Sequence, residues 1–319
     1  RARRFGRFAR LAGGVASNML AHGAVQLAAG KRPRAKDLLL TPKNAMKLTR
    51  QLAEMRGAAM KLGQIFSMDT GDLLPRELAD ILATLRDRGY AMPDTQLEEV
   101  LIENLGADYA DKLRHFEREP FAAASIGQVH RLRTRDGRAA VLKVQYPGIR
   151  ESIDSDVDNL ASLLSMSGLL PKHMDMAPML EEAKTQLHEE ADYEQEARYL
   201  KAFVRALGDD ERFLIPRLIP HLSASRILGM TFVPGIPIEE VAHETAAERS
   251  RVLGLLFELL MIELFHLRLV QTDPNFANYR YHTATGQVAL LDFGASRRFK
   301  LGLIRSYRDL LVAAIDSDR

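Results

Sequence analysis

The chain has 319 residues, 46% of them hydrophobic and 27% charged, which is enough apolar material for one large core or two modest ones. It has no cysteine, which excludes disulfides and thiolate metal sites and with them a zinc ribbon or a secreted disulfide scaffold. The net charge of +2 is uneven, because residues 1–36 hold nine Arg and Lys and no acid, leaving −7 on the rest of the chain.

In chain order, Phe5, Phe8, Leu11, Ala12, Val15, Met19 and Leu20 recur at three- and four-residue intervals while Arg3, Arg4, Arg7 and Arg10 crowd the first turns. The pattern predicts a basic amphipathic helix over the first 30 residues. It is either packed on the body of the protein or laid on anionic lipid headgroups. The same stretch has the Arg-rich, acid-free composition of a transit peptide. The chain starts with Arg1 and stops at Arg319 inside a helix-like stretch, so it reads as a fragment. Helical spacing returns from Pro42 to Met68, followed by Gly71 and Pro75, a helix near Glu77 to Arg86, and a third around Thr95 to Leu105 that ends at Gly106.

Strand signals begin near Phe116. They include Gln128 to Thr134 and Ala139 to Gln145, joined by the turn dipeptide Asp136-Gly137, and so predict a β-hairpin. An acid-rich helical stretch is expected over 152–207, a strand over 225–233 before Pro234-Gly235, helices over 239–269, and a short strand over 287–291 closed by Asp292-Phe293-Gly294. The most apolar run, Val252 to Val270, is interrupted by Glu258, Glu263, His266 and Arg268 and falls short of the roughly 18 apolar residues of a membrane span. The histidines, among them His130, His188, His266 and His282, show no metal-ligand spacing.

The chemistry concentrates in three places. Asp273 is followed five residues later by Asn278, and fourteen residues after that by Asp292-Phe293-Gly294 at a strand end. Phosphoryl transfer needs oxygen ligands for magnesium and a carboxylate near the acceptor, and this is the spacing of a kinase catalytic loop. Upstream, Ala122-Ala123-Ala124-Ser125-Ile126-Gly127-Gln128-Val129 fits the register of a kinase nucleotide loop, with Ala122 and Ala124 where its first two glycines stand. Lys143 follows in the apolar run Ala140-Val141-Leu142-Lys143-Val144, where an ammonium is costly unless it meets phosphate or a carboxylate. Third, Lys61 and Gln64 share one face of a helix, with Gly63 between them allowing close backbone approach.

Lys61-Leu62-Gly63-Gln64, the Ala-rich loop, Glu190-Ala191-Asp192, the Asp273/Asn278 pair and Asp-Phe-Gly together resemble the UbiB (AarF/UbiB) atypical kinase family over the chain beyond about residue 35. The Gln-Thr-Asp-Pro-Asn loop most resembles the coenzyme Q branch of mitochondria and proteobacteria. The resemblance implies an α+β, two-lobed, protein-kinase-like fold with a helical N-terminal extension packed on the kinase core. The expected parts are a basic segment (1–36), the helical extension (37–115), an N-lobe with inserted helices (116–235) and a partial C-lobe (236–319).

It further implies that ATP or ADP is held by Ala122, Ala123, Ala124, Ser125, Gly127, Val129, Lys143, Met230, Phe232 and Val233. Asn278 and Asp292 hold Mg2+, Asp273 is the catalytic carboxylate, and Glu190 is the helix carboxylate facing Lys143, with Glu189 a competing candidate. The Lys61, Gly63 and Gln64 face docks over the active site, with Glu190 and Asp192 as its partners. The catalytic loop departs from ordinary kinases in having Gln271 and Thr272 where His and Arg would sit, and no activation segment follows Gly294, so peptide substrates are disfavoured. The implied partners are nucleotide, anionic membrane lipids, and ubiquinone-precursor lipids or quinone biosynthesis proteins, with nucleic acid excluded. The implied place is peripheral, on the cytoplasmic face of a bacterial inner membrane or the matrix face of the mitochondrial one. The function read from this is an ATP- and magnesium-dependent kinase or ATPase supporting ubiquinone biosynthesis. A nucleotide-gated pseudokinase scaffold and, behind it, a protein kinase are the alternatives.

Overall fold

The computed structural model describes residues 55, 57–59, 61–62, 91–167, 176–273 and 275–316. The basic segment 1–36, Gly63, Gln64 and the helix expected near 77–86 lie outside the described residues. The chain divides into two compact units, one of residues 1–96, 119–129 and 145–191, the other of residues 97–118, 130–144 and 192–319.

In the first unit, helical residues 57–59 and 61–62 include the buried Ala58, Ala59, Lys61 and Leu62. Two long helices follow Pro147, α2 (Ile149–Ser167) and α3 (Ala177–Glu190). They pack on each other because Ile153, Val157 and Leu160 on α2 and Ala183 and Leu187 on α3 form apolar stripes at helical spacing, and all five are buried. Pro178 in the first turn of α3 has no N–H to leave unsatisfied.

In the second unit, α1 (Asp94–Leu105) buries Leu97, Val100, Leu101 and Leu105 and ends where Gly106 takes φ +91°. A sheet in the order β1-β3-β4-β6 comprises β1 (Leu113–Phe116), β3 (Gly127–Thr134), β4 (Ala139–Gln145) and β6 (Ile227–Thr231); β2 (Ala122–Ala123) and the start of β3 with which it pairs fall in the first unit. The expected β3–β4 hairpin is present. Gly137 takes φ +86° and donates to the Thr134 carbonyl, a turn that an L side chain would strain. Along β4, Ala140, Val141, Leu142 and Val144 are all buried, so its apolar run is covered on both faces.

The helical stretch expected after β4 consists of three helices. The last of them, α4 (Tyr193–Leu207), starts at Asp192, whose carboxylate accepts from the Gln195 N–H at 2.8 Å. Farther on, α5 (Ala246–Met261) is capped by Thr245 and runs into a π-helical turn, Ile262–Leu267, which stops at Arg268 with φ +51°. Five short strands not expected from the sequence exist through their pairing. β8 (Leu269–Gln271) pairs with β11 (Ser296–Arg298), and β9 (Tyr279–His282) pairs with β10 (Gln287–Leu290) and with β7 (Ile236–Pro237). β5 (Phe213–Leu214) runs parallel to β10, and α6 (Leu301–Ile315) closes the described chain. No described helix is long and apolar enough to cross a membrane.

Candidate active site

Lys143 is the one charged residue within the apolar run of β4, and its side chain is only 10% exposed. Its ammonium donates to both oxygens of Glu196, at 2.9 and 3.0 Å, and to Asp292 Oδ2 at 2.8 Å, while the Tyr193 ring lies 5.2 Å away. Burial alone would lower the Lys143 ammonium, but the Asp292 and Glu196 carboxylates outweigh it and hold the group well above its ordinary value, so it is a fixed cation. Burial pushes the fully enclosed Glu196 carboxyl up to about 7 against the pull of that ammonium. Asp292 is partly open, and its second oxygen accepts from the Gly294 N–H at 2.9 Å.

The structure corrects the expectation for Glu190. The carboxylate facing Lys143 is Glu196, in place of Glu190 or its neighbour Glu189. Glu196 belongs to the buried stripe of α4, with Tyr193, Leu200, Phe203 and Leu207. That stripe was the available signal, since a glutamate at a core position needs a cation. Glu190 ends α3 and has its own partners, Lys61 Nζ at 2.7 Å and the Ser125 hydroxyl at 2.6 Å. Lys61 is 3% exposed, so the first unit joins the helical extension, α3 and the Ala-rich loop through one carboxylate. Asp192, expected beside Lys61, is the cap of α4.

The Ala-rich loop is a tight turn. Ala122 and Ala123 pair with Val129 and Gln128, and the Ala124 N–H donates to the Gly127 carbonyl at 2.9 Å. None of residues 122–127 takes positive φ, the condition under which alanine can replace glycine without strain. On β6, Met230 is buried opposite Val141. Phe232 donates its N–H to the Ala139 carbonyl and lies under the Arg131 guanidinium at 5.3 Å. Arg131, Ala139, Ala140 and Phe232 line a cavity of about 300 Å³ that none of Lys143, Asp273, Asn278 and Asp292 borders. Val233 follows Phe232, half-buried.

Asp273 follows β8, and Asn278 immediately precedes β9. The Asn278 amide nitrogen faces the Asp273 carboxylate at 3.3 Å and its carbonyl at 3.4 Å, which turns the amide oxygen away from Asp273. The Asn278 carbonyl accepts from the Leu291 N–H at 2.9 Å, so Asn278 and the start of Asp292-Phe293-Gly294 lie side by side. The Phe293 ring packs at 5.0 Å from Phe203 of α4, the helix that carries Glu196. An amide oxygen on Asn278 and a carboxylate on Asp292, carried by these neighbouring segments, are the kind of hard-oxygen donors that suit Mg2+, which keeps waters and takes further oxygens from phosphate.

The family model of the ABC1 atypical kinase-like domain matches residues 84–319. The chain is 39% identical over 312 residues to the mitochondrial atypical kinase COQ8 of Saccharomyces cerevisiae, covering 98% of this chain and 62% of that protein. It is 40% identical over 280 residues to the mitochondrial atypical kinase COQ8B of Rattus norvegicus, covering 88% and 53%. It thus spans less than two thirds of the length of these curated relatives. Among solved structures, that of the Rv3197–erythromycin complex from Mycobacterium tuberculosis is 28% identical with a TM-score of 0.56, covering 86% of this chain and 73% of that one. The fold is kinase-like, and the chain belongs to the ABC1 atypical kinase-like family.

Proposed function

We propose that this chain is the nucleotide-binding part of an atypical kinase or ATPase that uses ATP with Mg2+ and supports coenzyme Q biosynthesis at a membrane surface. The observation that carries the reading is the Lys143 ammonium set between Glu196 and Asp292 beside the Asp273 and Asn278 pair. A fixed cation next to two oxygen ligands and a further carboxylate is what phosphoryl transfer asks of a protein, because its catalysis is positioning and charge stabilisation. In this reading Lys143 exchanges its contact with Asp292 for the α/β phosphates and keeps Glu196. Asn278 and Asp292 hold Mg2+, which neutralises phosphate charge when bound. Asp273 orients the acceptor or water.

The Ala-rich loop covers the phosphates, and Met230, Phe232 and Val233 border the base. The hold of Lys61 on Glu190, and of Glu190 on Ser125, keeps the extension against that loop, and with no activation segment after Gly294 a small or lipid-like acceptor is favoured over a peptide. The basic segment 1–36 supplies the attraction to anionic lipid. The four-part organisation at 36, 115 and 235 fits these roles. The names of the relatives, COQ8 and mitochondrial, favour the quinone pathway and a mitochondrial place; the matrix face of the inner membrane, or the cytoplasmic face of a bacterial one, is the finer part of this proposal.

Asp292→Asn keeps the shape of the ligand and removes its charge. Mg-ATP at about a hundred times its Kd should stabilise the wild type by roughly 2.7 kcal/mol, and the variant hardly at all. Asp273→Asn should keep that stabilisation and lose turnover. Equal stabilisation of wild type and Asp292→Asn in a thermal melt would remove the assignment.

A further inference from the structure

Asp273 does its work only if its position is fixed against Asp292, which lies beyond the end of a different strand, β10. The Thr272 hydroxyl joins the two segments farther along, donating to the Ala295 carbonyl at 2.6 Å, while the Gln271 side chain reaches Asp273 and Asp292 themselves. Gln271 Oε1 accepts from the Asp273 N–H at 3.1 Å, and Gln271 Nε2 donates to the Asp292 carbonyl at 2.9 Å. A carboxamide offers one acceptor and one donor in a single plane, which matches one N–H and one C=O.

The main chain of Gln271 is held in its turn. Its N–H donates to Glu263 Oε2 at 3.1 Å, and Glu263 is 3% exposed. Glu263 sits on the π-helical turn after α5. Its carbonyl accepts from the Arg268 N–H, at the left-handed residue that sends the chain into β8. A π turn carries one more residue than an α turn and is frequent at functional sites. Here it places a carboxyl group at the entrance of the strand that leads to Asp273.

We propose that Gln271 is the positioning residue of this site: its amide sets Asp273 against Asp292, and Glu263 anchors the Gln271 main chain in the register that allows it. The inference deepens the function proposed above and rests on it. Gln271→Met keeps length and removes both side-chain bonds, leaving two partly enclosed backbone groups unmatched.

Hydrogen exchange on the whole chain tests the clamp without any turnover. With a net bond worth about 1 kcal/mol, peptides covering 271–278 and 292–296 should both exchange several-fold to about tenfold faster in the variant, while the β3–β4 hairpin stays as in wild type. Faster exchange at one segment alone, or at neither, overturns the proposal. In steady-state assays with Mg-ATP, kcat should fall about ten- to a hundredfold with the nucleotide Kd within about threefold, and Gln271→His should recover part of the loss. A loss shared equally by kcat, Kd and the melting temperature marks Gln271 as merely structural and overturns the proposal too. If Gln271→Met does not fold, Gln271→Asn, one methylene too short to span both partners, gives the same paired readout. A wild type without turnover contradicts the function proposed above, and the exchange data still decide the clamp.

Discussion

Glu263 is a carboxyl group in the core with one backbone donor, and burial pushes it up to about 8. Its other oxygen is buried without a hydrogen-bond partner. The Tyr279 hydroxyl is raised as well, by burial first and then by the Glu263 and Asp273 charges. Between the ordinary carboxylate value of 4.5 and about 8 the unfolded chain has released a proton that the folded chain retains, so stability falls as pH rises through that window. The slope is roughly 1.4 kcal/mol per pH unit for one full proton. Glu263→Gln keeps the acceptor for Gln271 and removes the titration, so its advantage over wild type should grow from pH 5 to pH 8. Urea midpoints at the two pH values measure this, and a constant difference would show that Glu263 does not titrate in the window. Other site residues were legible because chemistry and spacing coincide there: Lys143 in an apolar strand, Asp273 with Asn278, and Asp292 before Phe-Gly. Glu196 was not, because an acid-rich run offers several carboxylates and the match to a family motif favoured Glu190. The apolar stripe of α4 separates them, since Glu196 falls on it and Glu190 belongs to α3.

Among the elements, those with their own period were legible, namely α1, the β3–β4 hairpin, β6, α5 and β10. The two- to four-residue strands β5, β7, β8, β9 and β11 were not, because so short a segment has no alternation and exists only through a distant partner, as β8 does through β11. Helix limits moved for a similar reason: the π turn and the left-handed Arg268 end the helix after Leu267, where apolar spacing alone carried it to Leu269. Two glycines test how tightly the elements are packed. A Cβ on Gly229 of β6 would meet the Leu222 carbonyl oxygen at 2.6 Å, a backbone atom that cannot step aside. Gly254, inside α5, has nothing within 4 Å. Gly229→Ala should therefore cost about 1–3 kcal/mol through overpacking, and Gly254→Ala should gain about 0.5–1 kcal/mol by restricting the unfolded chain. Chemical denaturation of both variants checks the pair, and equal effects would refute the packing described for β6.

For the whole molecule, two different surfaces could meet a membrane, and they make different physical demands. The basic segment attracts through charge, with Arg3, Arg4, Arg7 and Arg10 close together in its sequence. Elsewhere, α6 leaves Leu303, Leu310 and Ile315 exposed at 47, 65 and 80% and would bind through apolar area. Charge attraction favours anionic vesicles and is screened over roughly 10 Å at 0.1 M salt, whereas apolar burial is indifferent to headgroup charge and nearly indifferent to salt. Each cation near such a surface is worth about 1 kcal/mol. Replacing the four arginines with Gln should therefore weaken binding to phosphatidylserine vesicles by on the order of a hundredfold or more at low salt, and leave binding to phosphatidylcholine vesicles unchanged. Sedimentation of the whole chain with each vesicle, at low and high salt, reads this directly. If wild type binds both vesicles equally and salt does not matter, the basic segment is a helix packed on the protein. Membrane contact would then fall to α6, and Leu310→Gln rather than the arginine variant would release the chain.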